Sequence, residues 1–213
     1  MDKNTQLKIV TISYIISVVG SFIINYLKIK NIDFHGVVDA IKVSSILTFW
    51  WLFYFKIGWK IPILKKVLFR INLEGTWFGT YESCSIKENI TYSGEIALRI
   101  KQDFLNVSII SFTDKFKNYS YSEELKYEEK SNMHELVYVY SQKENSISDR
   151  NSRNGASELK LILNNTNNTQ KLEGDFWTSV GSRGVLKVTK ISKKVVSSFE
   201  EAKKIYKQSG GKA

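Results

Sequence analysis

From Gly75 to Ile191 the chain holds eight short alternating segments separated by turn-forming clusters, with no helical periodicity in between. Side chains two apart on a strand share a face, so 95-EIALRIK-101 and 136-LVYVY-140 each present one apolar side. Clusters such as 149-DRNSRNG-155 and 164-NNTNNTQ-170 break the series. The pattern predicts strands at 75–84, 92–101, 104–112, 118–128, 134–141, 158–163, 171–178 and 184–191. Eight short strands joined by turns fit an antiparallel up-and-down sheet. Closing that sheet into an eight-stranded β-barrel removes its edges and leaves a filled core or room for one small ligand.

The triplet Leu73-Glu74-Gly75 returns as Leu172-Glu173-Gly174, each time followed by aromatics. The two copies open the first and seventh predicted strands. Gly75, Trp77, Gly79 and Tyr81 share one strand face, and Gly174 with Phe176 repeats the arrangement. Glycine beside a large ring makes space for the ring and lets the strand bend at a barrel corner. Strand-bending core positions and ligand-facing positions both fit this pattern. After the last strand, Ser198 and Glu201 in 197-SSFEEAKKIYKQSGG-211 have capping-box spacing. A short C-terminal helix is expected there, covering an edge or end of the barrel.

Ahead of the strands lie two apolar runs. Ile9–Leu27 has nineteen residues without a formal charge, a length matching a hydrocarbon core of ~30 Å. No small-x-small cleavage site follows it, which disfavours a signal peptide. The second run, 43-VSSILTFWWLFYF-55, spans a membrane if extended back to Val37, with Asp39 and Lys42 near one face. Trp50, Trp51, Tyr54 and Trp59 would then form an aromatic belt at the other. The reading is an N-terminal two-helix transmembrane hairpin plus an all-β domain. Its divisions are a two-span anchor at 1–58, a basic linker at 59–72, the barrel at 73–192, and a helix and tail at 193–213.

The formal charge of +10 raises nucleic acid or a membrane surface as partners. Residues 1–72 carry ten Lys/Arg against three Asp/Glu, while the remainder carries twenty-one against eighteen. The excess therefore follows the apolar third, which argues for a lipid bilayer and against a DNA or RNA polymer. Lys3, Lys8, Lys56, Lys60, Lys65, Lys66 and Arg70 outnumber Lys28, Lys30 and Lys42 of the connecting loop. By the positive-inside rule a multi-pass membrane protein with both termini and the barrel in the cytoplasm is expected. Ser13, Ser17 and Ser21, with Gly20, form a small-residue stripe that packs either on the second helix or between protomers.

Catalytic constellations are thin. No phosphate loop, paired-histidine motif or nucleophile elbow occurs. Asp149 with Glu158 and Lys160 imitates a nuclease pattern in the wrong fold class, and Cys84 with His134 lacks an orienting third group. One cysteine and two histidines provide neither a disulfide nor a metal site, so no catalytic residue, metal or cofactor is expected. Rings interleaved with Arg, Ser and Thr suit a ligand of flat bases and phosphates. The candidates are Trp77, Tyr81, Tyr138, Tyr140, Thr178, Ser182 and Arg183, the last in the glycine-flanked turn 181-GSRG-184. Core packing remains open for Trp77, Tyr138 and Tyr140. Arg99, alternating with Glu95 and Lys101, fits a solvated outer face.

The apolar N-terminal third, the run Gly75-Thr76-Trp77-Phe78-Gly79-Thr80-Tyr81, the tyrosines of 136-LVYVY-140, and 172-LEGDFWT-178 with Gly184 and 185-VLKVTK-190 resemble the two-transmembrane β-barrel effectors of bacterial CBASS anti-phage systems. The resemblance covers nearly the whole chain. It implies a non-enzymatic receptor whose barrel binds a cyclic di- or trinucleotide, forms a homo-oligomer on binding, and disrupts the inner membrane of an infected cell, leading to cell death. The family's late motif carries a threonine and a basic residue after the aromatics. Thr178 fits, Val180 departs, and Arg183 is the nearest basic residue. The competing reading is a membrane-tethered, lipocalin-like carrier of a lipid or other hydrophobic ligand, since such barrels also open on Gly-x-Trp. A third is a filled scaffold without ligand.

Overall fold

The computed structural model describes residues 3–29, 36–64, 68, 70–86, 90–128, 133–143, 153–164 and 169–210. Lys30, Lys65, Lys66 and Asp149, used in the sequence reading, lie outside them. The chain divides into two compact units: residues 1–72 with the loop 103–105, and residues 73–102 with 106–213.

The first unit contains α1 (Lys3–Ile29), α2 (Gly36–Lys56) and a 3-10 turn at Gly58–Lys60. Its core is aromatic: Tyr54, Trp59, Leu68 and Phe104 are buried, with Ile9, Ile12, Trp50, Trp51 and Phe55 packed around them. Phe104 stacks on Phe55 at 5.2 Å, and its backbone N–H donates to the Phe55 carbonyl at 3.0 Å. The Tyr54 hydroxyl accepts from Leu68 N–H at 3.1 Å. Trp51 Nε1 donates to Ser13 Oγ at 3.0 Å, so the small-residue stripe begins by seating α2 of the same chain.

Two expectations are overturned here. Among the described residues, no helix is long and apolar enough to cross a membrane. The N-terminal two-helix transmembrane hairpin is therefore corrected, and with it the multi-pass inner-membrane placement with cytoplasmic termini. The physical reasons are local. The apolar run 43–55 of α2 reaches only about 20 Å at 1.5 Å per residue. In α1, the hydroxyl residues Thr11, Ser13, Ser17 and Ser21 interrupt the apolar run. The rings expected at a membrane interface are instead engaged with one another and with Phe104.

The second unit is the expected antiparallel barrel. It comprises β1 (Gly75–Ser85), β2 (Thr91–Gln102), β3 (Val107–Phe112), β4 (Lys117–Glu128), β5 (Met133–Lys143), β6 (Arg153–Asn164), β7 (Thr169–Thr178) and β8 (Ser182–Ser192). Each strand pairs with its successor and β8 returns to β1, closing the ring. β6 starts five residues earlier than its sequence pattern indicates, and β3 starts three later because 103–105 belongs to the first unit.

Cross-strand partners share a face, so the registers identify the inner wall. Trp77 pairs with Leu98 and Lys190, and Leu136, Leu159, Leu161, Leu172, Leu186 and Val188 continue the same face as a buried apolar core. Gly79 and Gly174 allow strands to approach closely: a Cβ at either would stand 2.0 Å from a neighbouring carbonyl oxygen, of Lys187 or of Glu158.

The final helix, α3 (Phe199–Gln208), starts as expected, with Ser198 Oγ accepting from Glu201 N–H at 3.2 Å. Its location differs from the expected edge or end. Phe199 and Ala202 pack with Phe78, Ala97, Ile110 and Phe112 on the outer wall, and Tyr206 stacks on Phe78 at 4.6 Å. The outward side chains of the first three strands are apolar enough to require this cover. Arg99 is on that outer face too, reaching the Val196 carbonyl at 3.4 Å.

Candidate functional site

The site is assembled from inward side chains at the barrel end that carries the β7–β8 turn. In one row Tyr138 pairs with Ser157, Ser157 with Phe176, and Phe176 with Gly184. In the next, Tyr140 pairs with Gly155 and Gly155 with Thr178. Tyr81 joins from β1, edge-on to Phe176 at 6.5 Å between ring centres. Tyr138 and Tyr140 are 5.9 Å apart.

Three rings here lie across a glycine on the paired strand. A Cβ at Gly155 would stand 2.5 Å from the Tyr140 ring, one at Gly94 would stand 2.8 Å from Tyr81, and one at Gly184 would stand 2.8 Å from Phe176. Each ring is thereby held against the wall by its neighbour strand. The ring clearance inferred from Gly79 and Gly174 is provided by these other glycines. Fixed, wall-lying rings are a natural surface for stacking a flat base.

Burial sets the chemistry of the hydroxyls. It pushes the Tyr138 phenol up to about 12, with the Ser157 hydroxyl partly opposing. Burial raises Tyr140 as well, and the neighbouring Tyr138 adds to it. Tyr81 is raised by burial and then by Asp114. All three therefore remain neutral hydrogen-bonding groups across the physiological range.

Thr178 and Ser182 bracket the turn. Ser182 N–H donates to Thr178 Oγ1 at 3.2 Å, and Gly181 N–H to the Thr178 carbonyl at 3.1 Å. Gly181 closes this three-residue hairpin at φ +83°, a conformation for which glycine is suited. The turn is tied to β1 through Ile86 N–H and to β6 through Asn154. Both hydroxyl residues share the inner face with the tyrosines, while the Thr178 hydroxyl also serves the turn.

Two sequence-predicted residues stand apart. Trp77 is in the apolar core near the other end of β1, its Nε1 donating to the Leu73 carbonyl at 2.9 Å. Arg183 faces outward, between Cys84 of β1 and Trp177 of β7. There it borders an open cleft of about 670 Å³ that also bears Glu82, Glu158 and Asp175. Three carboxylates against one guanidinium make that cleft a poor receptacle for a phosphate dianion. Cys84 belongs to this outer face, whereas His134 is inward at the start of β5, against Tyr127 at 4.9 Å. The pair cannot meet.

The inner wall carries polar groups that the sequence reading did not select. Arg153 pairs with Gln142 and Gln142 with Asn118, one row beyond Tyr140 and Gly155. Glu123 pairs with Tyr138. Strand alternation would have exposed Arg153 had β6 been extended back through 153-RNG-155; Phe176 was legible from its spacing to Gly174.

Lys190 is the inward cation of the apolar end. Its ammonium lies 5.6 Å from the Trp77 ring centre and donates to Gln170 Oε1 at 3.1 Å. Burial lowers its pKa to about 8, Glu74 opposing and Lys193 adding to the fall. The folded state therefore binds fewer protons than the unfolded state between pH 8 and the ordinary lysine range, and stability rises with pH there. The burial penalty is complete below pH 8. Lys190→Met should accordingly stabilise the protein most at pH 6.5, with the gain shrinking towards pH 10. Denaturant unfolding at both pH values checks this, and a pH-independent difference would contradict it.

Residues 71–190 match the family model described as Cap15, cyclic dinucleotide receptor domain. No curated protein matches the chain.

Proposed function

We propose, from the premise that this chain belongs to the Cap15 cyclic dinucleotide receptor domain family, that its ligand binds against the inner wall formed by Tyr81, Tyr138, Tyr140 and Phe176. That membership makes the chain a CBASS effector whose barrel binds a cyclic oligonucleotide. The observation supporting the location is the set of three rings laid over cross-strand glycines, within the matched residues. Bases stack on these rings, neutral tyrosine hydroxyls donate to ribose or phosphate, and Arg153 grips a phosphate from the same face. The activity is binding without catalysis.

The output is self-association driven by the ligand. Val10, Tyr14, Val18, Phe22 and Tyr26 recur every four residues on α1 and are exposed, as are Phe49 and Leu52 on α2. An apolar surface of this extent calls for cover, and a second copy of the helices supplies it. The ligand favours assembly only to the extent that it binds the assembled state more tightly.

Calorimetry of the full chain against cyclic di- and trinucleotides tests the first part, and light scattering with and without ligand tests the second. Selective binding with growth in mass is expected. Binding without any change in mass would leave a receptor and remove the assembly step. A lipid bound in place of every nucleotide would instead favour the carrier reading.

A further inference from the structure

We infer that the β3–β4 wall selects a cyclic dinucleotide carrying a base with an exocyclic amine, through Asn118 Oδ1 and the Glu123 carboxylate. The inference rests on the receptor reading and adds base identity to it. Asn118, Ser120 and Glu123 take successive inward positions on β4, opposite Gln142, Tyr140 and Tyr138; the bulge between Ser120 and Ser122 keeps Glu123 inward.

On β4 the hydrogen bonds leave two acceptors without a donor, Asn118 Oδ1 and one oxygen of the Glu123 carboxylate. Asn118 Nδ2 donates to Ser111 Oγ at 2.9 Å, while its buried Oδ1 has no partner. A buried acceptor without a partner is costly, and a ligand donor removes that cost. Ser120 Oγ accepts from Ile109 N–H at 2.8 Å and so commits its single proton to Glu123 Oε1. The second carboxylate oxygen of Glu123 remains an acceptor.

Arg153 is in the same row as Asn118, two strands away, which is about 10 Å. A phosphate held by Arg153 therefore places its base along the wall with the far edge at β4. Adenine, guanine and cytosine each present an amine there. Uracil offers one N–H between two carbonyl oxygens, which would face acceptors.

The test is calorimetry on the full chain, using cyclic di-AMP, cyclic di-GMP and cyclic di-UMP as probes. The wild type should bind an amine-bearing ligand about 10- to 100-fold more tightly than cyclic di-UMP. Glu123→Gln and Asn118→Leu should each reduce that preference by about 10-fold or more, with circular dichroism confirming the fold. Asn118→Asp retains the acceptors and should preserve the preference, whereas its loss would overturn the acceptor role. Equal weakening of all three ligands, or a wild type that favours cyclic di-UMP, would overturn the inference while leaving the receptor intact. A folded wild type that binds none of the probes nor any cyclic trinucleotide overturns the receptor reading, and this inference with it.

Discussion

Trp77→Ala should cost about 3–5 kcal/mol. The indole is fully buried, set between Leu98 and Lys190 on the neighbouring strands. Its removal leaves a void in the barrel core and strips the Leu73 carbonyl of its donor. In a barrel of this size the thermal midpoint should fall by roughly 10–20 °C. Trp77→Phe keeps most of the volume and loses only the hydrogen bond, so about 1–2 kcal/mol is expected. Circular dichroism melts of the full chain distinguish the two. A midpoint shift of under about 2 °C for Trp77→Ala would mean that the ring is not packed as described.

The second large effect is on binding. Arg153→Ala should weaken a cyclic dinucleotide by about 30- to 1,000-fold, the range of an interface hot spot. Arg153→Lys should recover only part of this, because an ammonium cannot make the bidentate contact of a guanidinium. Arg183→Ala, on the outer face, should change affinity by less than about threefold, as expected of a charge remote from the ligand. The reverse ranking would move the ligand out of the barrel and into the cleft beside Trp177 and Asp175. Calorimetry of the three variants decides between these two faces.

The contrast between the two arginines shows what was legible in the sequence. Eight strands and their order follow from alternation and turn clusters, because the inner face must be apolar wherever it forms the core. Strand ends follow less well. Arg153, Asn154 and Gly155 have weak β preference and sit in a polar cluster that reads as turn; pairing with 140–142 makes them strand. Arg183 was placed by proximity to Thr178 and Ser182, but a three-residue hairpin puts those two inward and the next residue outward. Phe104 illustrates another limit. It looks like the start of a strand, while its burial comes from Tyr54, Phe55 and Trp59, nearly fifty residues earlier. The same contacts explain the misreading of Trp50, Trp51, Tyr54 and Trp59: composition alone does not distinguish rings meant for an interface from rings meant for one another. Glycine roles were only half legible. The repeats at Gly75 and Gly174 draw the eye, yet the glycines beneath rings are Gly94, Gly155 and Gly184, and of these only Gly184 stands in a marked stretch, the turn 181-GSRG-184.

Those ring-over-glycine pairs constrain how such a sequence drifts. A methyl group gained at residue 155 collides with the Tyr140 ring, and a smaller residue at 140 leaves a gap above a bare strand. Either change alone is disfavoured, while the two together are tolerable. Positions 94 and 81, 155 and 140, and 184 and 176 should therefore vary as couples among descendants of this chain, with non-additive double mutants. This ring surface can thus be remodelled only in paired steps, so its shape should persist longer than the identities of the polar residues around it.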